Sequence, residues 1–75
     1  MLSKNYIKKV AREMLSKGDV TNFDVQYELA RRLGRELTPG EKRKVTQMLK
    51  LWFDYEVEVV YIGGVKMRAI RIRRR

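Results

Sequence analysis

The chain has 75 residues, and its 18 lysines and arginines against 9 acidic residues give a net charge of +9, with no cysteine and no histidine. A chain this short forms one small domain and buries only about 60% of the surface that its unfolded form exposes, so a separate catalytic lobe is not expected. The missing residue types exclude disulfides, thiolate nucleophiles and imidazole catalysis and argue against a zinc site. We therefore expect a binding protein without metal or cofactor, not an enzyme.

The distribution of apolar residues predicts a cytoplasmic protein with no membrane partner. Hydrophobic residues make up 44% of the chain, which is enough for a core and too many for a disordered basic tail. The longest apolar runs fall far short of the ~20 residues that cross a bilayer, and no apolar signal segment follows the N-terminus. No linker or repeat interrupts the chain, so residues 1–75 are expected to form a single domain.

Two amphipathic helices are predicted in the first half of the chain. Apolar residues recur at three- and four-residue spacing over about 3–17 and again over about 22–33. In the second helix, Val25, Leu29 and Leu33 form a narrow apolar seam flanked by Ala30, and Gly34 is predicted to end the helix. The short segment just before the second helix is predicted to form a single edge strand.

A third helix is predicted over about 39–53. It begins at Thr38-Pro39-Gly40-Glu41, in which threonine caps the helix, proline takes the first position and glutamate completes a capping box. One face is predicted to pack inward through Val45, Met48, Leu49 and Trp52. The opposite face is predicted to project Arg43, Gln47 and Lys50, with Lys44 and Thr46 on its edges.

A two-stranded hairpin is predicted over about 55–73, where the apolar period changes to two on either side of Gly63-Gly64. With the two glycines in the turn, Ile62 pairs with Val65 and Glu56 pairs with Arg71. One face near the base is expected to pack on the helices through Tyr55, Val57, Val59, Ile70 and Ile72. The other face places four apolar residues near the tip, namely Val60, Ile62, Val65 and Met67.

This order of elements resembles the winged helix-turn-helix family. The resemblance covers the whole chain and rests on the Gly34 turn, the Thr38-Pro39-Gly40-Glu41 helix start and the Gly63-Gly64 hairpin, and in size and charge the chain resembles small winged-helix regulators of archaea and their viruses. It implies an α+β fold with three helices and a C-terminal hairpin wing. It also implies that the third helix lies in the major groove of duplex DNA, while the wing, residues 61–68, reaches the adjacent backbone or minor groove.

Charge supports a double-stranded DNA partner, because the first helix, the third helix and the hairpin are basic whereas the second helix is acidic. Arg43 and Gln47 are the candidate base-reading residues, since a guanidinium matches the guanine edge and a carboxamide matches adenine. Thr46 is the candidate for a thymine methyl. The candidate phosphate contacts are Lys42, Lys44, Lys50, Lys66 and Arg68.

Several aromatic and charged residues are more simply explained by structure. We expect Trp52, Tyr6 and Tyr55 to belong to the core. We expect Arg71 to pair with Glu56 and so to contribute less to a DNA contact.

The apolar tip residues Val60, Ile62, Val65 and Met67 are a candidate dimer or partner surface, because nothing else in the chain is predicted to cover them. A homodimer would suit a DNA reader, since two-fold symmetry places two reading helices on a palindromic site.

The function expected from these observations is transcriptional regulation, at the nucleoid or, for a viral protein, in the host cytoplasm. Two alternatives stay open. The first is a winged helix that binds the ribosome or structured RNA, which a small basic domain with an arginine-rich end also suits. The second is a protein-interaction module that uses the apolar hairpin face. Membrane-surface binding through the first helix ranks last, because its apolar face is needed for the core.

Overall fold

The computed structural model describes residues 2–74 and contains three helices and a three-stranded antiparallel sheet. In chain order the elements are α1 (Lys4–Leu15), β1 (Val20–Thr21), α2 (Asn22–Leu33), α3 (Pro39–Trp52), β2 (Asp54–Ile62) and β3 (Val65–Arg73). The predicted α+β class is therefore confirmed, and the arrangement is consistent with a winged helix. The predicted edge strand is also confirmed, as β1. Over the described residues, every helix is too short or too polar to cross a membrane.

Hydroxyl caps define where the helices begin. The Ser3 side chain accepts a hydrogen bond from the Tyr6 N–H at 3.2 Å and caps α1. The α2 and α3 helices both begin with a capping box, and in α3 the Thr38 hydroxyl accepts from the Glu41 N–H while the Glu41 carboxylate accepts from the Thr38 N–H. Pro39 occupies the first turn of α3, as predicted. These local signals account for the accuracy of the predicted starts.

The hairpin register follows from its two-residue turn. Gly63 and Gly64 have φ values of 57° and 81°, which only glycine adopts readily. With these values, two residues are enough to connect β2 to the antiparallel β3. Ile62 pairs with Val65 and the pairing continues without interruption to Asp54 opposite Arg73, so the predicted register is confirmed. Strand β3 lies in the centre of the sheet, between β1 and β2.

The core is formed mainly by the three helices and by β3, with Val20 of β1 and a few residues of the connecting segments. Its largest fully buried side chains are Ile7, Val10, Val25, Leu29, Val45, Leu49 and Ile72. Tyr6 and Trp52 pack against this core with part of their surface exposed, in agreement with their predicted role. Along the predicted apolar seam of α2, Val25 and Leu29 are fully buried, whereas Leu33 at the end of the helix is 40% exposed.

The prediction that Tyr55, Val57 and Val59 pack on the helices is wrong. These three side chains share a face with the buried Ile70 and Ile72, yet they are 42%, 59% and 51% exposed. The difference arises because the helices contact the central strand β3 whereas β2 lies at the outer edge of the sheet. Strand periodicity identifies residues that share a face, but it does not identify which strand the helices cover.

The ion pairs at the base of the hairpin differ from the prediction as well. Arg71 lies opposite Glu56 in the register, but its guanidinium bonds to Glu58, at 2.7 and 3.0 Å, and Glu56 pairs with Arg73 at 3.2 Å. Each arginine thus reaches the diagonal neighbour, which long side chains on adjacent strands can do.

The Glu41 capping box predicts a specific loss of stability in acid. Arg35 and the Thr38 N–H lower the pKa of Glu41 from 4.5 to about 2. Because the folded pKa lies below the unfolded value, ionised Glu41 stabilises the fold above about pH 4.5, and this contribution is lost as the pH falls toward 2. We expect Glu41→Gln to be less stable than the wild type at pH 6, with a difference that shrinks steadily between pH 5 and pH 2 in urea unfolding.

Glu36→Gln is the matched control, since it removes a nearby carboxylate that forms no ion pair within residues 2–74. A difference in the free energy of unfolding between the wild type and Glu41→Gln that stays constant from pH 5 to pH 2 would contradict the stabilising role assigned to ionised Glu41.

Candidate nucleic-acid interface

The outer face of α3 presents three polar side chains to solvent. Val45 and Leu49 are fully buried and fix the inner face of the helix against the core. Arg43, Gln47 and Lys50 are exposed on the opposite side. The helix therefore presents the predicted reading residues outward, as a rigid surface element.

A buried polar network fixes α3 to the start of α2 and to β3. Asn22, 5% exposed, donates from Nδ2 to Thr46 Oγ1 at 3.1 Å and accepts at Oδ1 from the Ile70 N–H at 2.9 Å. Gln26 Nε2 donates to Thr46 Oγ1 at 3.2 Å and to the Lys42 carbonyl at 3.1 Å. Two carboxamides thus hold one turn of α3 at a set distance from α2, and Asn22 connects both helices to the sheet.

A shallow, open groove of about 390 Å³ lies directly over this network. From α3 it is lined by Lys42, Arg43, Thr46, Gln47 and Lys50, from α2 by Asn22, Phe23 and Gln26, and from β3 by Arg68. Six of the eight residues predicted to contact DNA therefore surround one groove. All three predicted base contacts line it, together with three of the predicted phosphate contacts, Lys42, Lys50 and Arg68.

The remaining two predicted contacts, Lys66 and Lys44, lie elsewhere. Lys66 is exposed near the hairpin tip, directly opposite Tyr61 in the register and two residues from Arg68 on the same face. Lys44 is partly buried, and its Nζ donates to the Leu2 carbonyl at 2.7 Å. The amine of Lys44 therefore secures the N-terminal segment, and its predicted role as a phosphate contact stays a prediction.

The apolar residues predicted at the hairpin tip are accessible to different degrees. Ile62, Val65 and Met67 are exposed, whereas Val60 is half-buried. On the opposite face of the hairpin, the Lys50 ammonium lies 5.8 Å from the centre of the Tyr55 ring, which connects the end of α3 to β2.

The ion pairs divide the arginines into two groups. On α2, Glu28 bonds to both Arg31 and Arg32, whose guanidinium groups lower its pKa to about 2. Further pairs join Arg32 to Glu13, Arg35 to Glu41 and the two sheet arginines to Glu58 and Glu56. Within residues 2–74, no carboxylate pairs with Lys42, Arg43, Lys50, Lys66 or Arg68. Uncompensated positive charge is therefore carried by the groove and the hairpin tip, and also by the lysines of α1.

The sequence reasoning did not identify Asn22, Gln26 or Phe23 as parts of this site. A signal was present for the two carboxamides, because Asn22 precedes Val25 by three residues and Gln26 precedes Leu29 by three, which places both on the buried face of α2. A polar residue at a core position of a helix indicates a hydrogen-bonded partner in another element. Phe23 carries no comparable pattern.

The described residues include no group of three or more acidic side chains that could hold a metal ion. A scan against protein-family models and searches of curated proteins and of solved structures found no match to the chain.

The Asn22 network gives a prediction for stability. Asn22→Ala would leave the buried Ile70 N–H without its acceptor, so we expect the free energy of unfolding to fall by about 1–3 kcal/mol. Asn5→Ala is the matched control, because Asn5 also lies in the first turn of a helix but is exposed, and we expect it to change stability by less than about 0.5 kcal/mol. Urea unfolding of both variants measures the difference, and equal effects would contradict the role assigned to Asn22.

Proposed function

We propose that the chain is a duplex-DNA-binding protein of the winged helix-turn-helix type that regulates transcription. In this proposal the outer face of α3 enters the major groove and the hairpin tip lies on the adjacent backbone or in the minor groove. The chain would act at the nucleoid or, for a viral protein, in the host cytoplasm. A protein of this kind binds its target without a cofactor or a metal ion.

The observation that carries this proposal is the group of cations, unpaired within residues 2–74, that lines one groove beside the exposed face of α3. The arginines of α2 and of the sheet base are paired with glutamates. The cations of the groove and tip lack such partners among residues 2–74, and a surface of unpaired lysines and arginines is the electrostatic footprint expected for a phosphate backbone. Neutralising phosphates with these groups would release condensed counterions, so binding should weaken steeply with salt.

Base recognition is assigned to Arg43 and Gln47, which are exposed one helical turn apart along the groove. An arginine guanidinium bonds to both acceptors of a guanine edge, and a glutamine carboxamide matches the donor and acceptor of adenine. The Thr46 oxygen already accepts two hydrogen bonds from α2. Its contribution to a base contact would therefore come from its methyl group, as a thymine contact requires.

Salt dependence tests the phosphate contacts. We expect binding to random-sequence duplex to weaken linearly on a plot of log K against log salt, and Lys66→Ala to weaken all sequences alike and to lower the slope by about one unit. Arg31→Ala is the matched control, since it removes one positive charge that Glu28 already compensates, and we expect the slope to stay unchanged. Fluorescence anisotropy over a salt series gives both slopes. Absent duplex binding at low salt, or a flat response, would refute the proposal.

Structured RNA is the alternative ligand for the same basic surface. A competition between duplex DNA and a folded RNA of equal length, at one salt concentration, separates the two. We expect the duplex to compete more strongly, because an α-helix fits the major groove of B-form DNA whereas the RNA major groove is too deep and narrow. Stronger competition by RNA would show that the basic surface binds structured RNA in preference to duplex DNA.

Sequence selectivity tests Arg43. We expect Arg43→Ala to relax the preference at one base position, at a cost of about 1–3 kcal/mol on the preferred site, with little change in binding to random sequence. Selection from a library of random duplexes, carried out with the wild type, Arg43→Ala and Arg31→Ala, measures this preference. Identical base preferences for all three proteins would show that Arg43 does not read a base.

A further inference from the structure

The outer edge of β2 is open to another strand. Within residues 2–74, the sheet order β1–β3–β2 leaves that edge without a neighbouring strand over residues 55–62. Proteins usually protect such an edge with lysine, proline, a bulge or a very short strand. Strand β2, Asp-Tyr-Glu-Val-Glu-Val-Val-Tyr-Ile, contains neither lysine nor proline, and its pairing with β3 has no bulge. The acidic residues of β2 are the one protective feature it has, and two of them, Glu56 and Glu58, are compensated by arginines of β3.

The turn determines which backbone groups face this edge. In a hairpin with a two-residue turn, the pair next to the turn is hydrogen-bonded and the pattern alternates from there. With Ile62 opposite Val65, every second residue of β2 directs its N–H and C=O toward β3. The intervening residues direct theirs outward, and these are Tyr55, Val57, Val59 and Tyr61.

The same four residues present their side chains on one exposed face. Tyr55 is 42% exposed, Val57 59%, Val59 51% and Tyr61 70%. Their order, Tyr-Val-Val-Tyr, reads the same in both directions about Glu58. In an antiparallel pair of two such strands centred on Glu58, Tyr55 lies opposite Tyr61 and Val57 opposite Val59, so aromatic meets aromatic and valine meets valine. The strand is therefore complementary to itself.

The charges of β2 distinguish a second copy from nucleic acid as its occupant. The strand carries three acidic residues and no basic one, so it offers no cation to a phosphate backbone. Glu58 and Glu56 are compensated by Arg71 and Arg73 of the neighbouring strand. The Arg71 guanidinium lowers the pKa of Glu58, so this carboxylate stays ionised and paired. Two Glu58 residues opposite each other would each keep an arginine, which limits their repulsion.

We propose that β2 pairs antiparallel with β2 of a second copy of this chain about a two-fold axis at Glu58. The sheets of the two copies then form one continuous sheet, and the helices of both copies lie on the same side of it. This interface differs from the hairpin-tip surface of Val60, Ile62, Val65 and Met67, and it does not depend on the proposed DNA binding. One strand pair buries less than a standard interface, so the dimer is weak and reversible.

Disulfide trapping tests the register. The chain has no cysteine, so a single substitution introduces the only thiol. Residue 58 lies opposite its own copy, within the Cα separation that a disulfide spans, whereas residue 56 lies opposite Val60 of the other copy. With diamide as the oxidant, we expect Glu58→Cys to form a covalent dimer much faster than Glu56→Cys. The two variants are matched, since each removes a glutamate paired with one arginine.

Sedimentation over a concentration series tests the surface. We expect the wild type to dimerise with rising concentration, Val57→Lys to remain monomeric and Val65→Lys to dimerise like the wild type. Both valines are similarly exposed, at 59% and 61%, and lie on opposite faces of the hairpin. Circular dichroism verifies that each variant folds. If Val57→Lys does not fold, the disulfide-trapping experiment tests the proposed dimer in its place.

Three results would overturn the proposal. A wild type that stays monomeric at the highest attainable concentration would exclude the dimer. Equal trapping of Glu58→Cys and Glu56→Cys would exclude the register. Loss of the dimer in Val65→Lys but not in Val57→Lys would place the interface on the hairpin tip instead.

Discussion

The position of the candidate DNA-binding surface depends on one buried side chain, that of Asn22. Its carboxamide accepts from the Ile70 N–H and donates to the Thr46 hydroxyl, so that one residue at the start of α2 holds both α3 and the sheet. A carboxamide with different groups at its two ends satisfies both bonds in one orientation only. Apolar packing would tolerate small rotations of α3 about its own axis, whereas this bond pattern does not. The burial of Val45 and Leu49 directs Arg43 and Gln47 outward, and the Asn22 bonds limit the rotation of α3 about that position.

The ion pairs change the distribution of charge on the surface more than they stabilise the fold. Exposed pairs such as that of Arg31 with Glu28 contribute little to folding. They do cancel positive charge on α2 and at the base of the sheet, while the cations of the groove and the hairpin tip keep theirs. The groove and the hairpin tip therefore keep an excess of positive charge, as does α1, whose lysines pair with no carboxylate of residues 2–74. The same pairing compensates Glu56 and Glu58 of β2, so these carboxylates do not attract phosphate and are not strongly repelled by those of a second copy.

Local features were predictable from the sequence, and features that depend on distant neighbours were not. The start of α3 at Pro39 and the turn at Gly63 and Gly64 depend on a few adjacent residues, and both agree with the structure. The alternation of apolar residues along β2 correctly predicted that Val57 and Ile70 share one face of the hairpin. It could not show that β2 lies outside the part of the sheet that the helices cover. The predicted pairing of Arg71 with Glu56 was wrong for a related reason. The register determines which residues lie directly opposite each other, whereas a long side chain can also reach a diagonal neighbour. For the site, the exposed face of α3 was predictable from helical periodicity, but the Asn22 network joins three elements and requires their tertiary arrangement.

The two proposed surfaces are connected by a short and rigid part of the chain. Helix α3 ends at Trp52 and β2 begins at Asp54, so only Phe53 separates them, and its side chain is 6% exposed. The Lys50 ammonium also lies over the Tyr55 ring, across the same junction. A dimer formed through β2 would therefore fix the distance and direction between its two α3 helices, since no flexible segment intervenes. Such a dimer would accept only those pairs of half-sites whose spacing matches that fixed separation. A weak interface between strands would then add to specificity, because each copy bound on a correctly spaced site raises the effective concentration of the other.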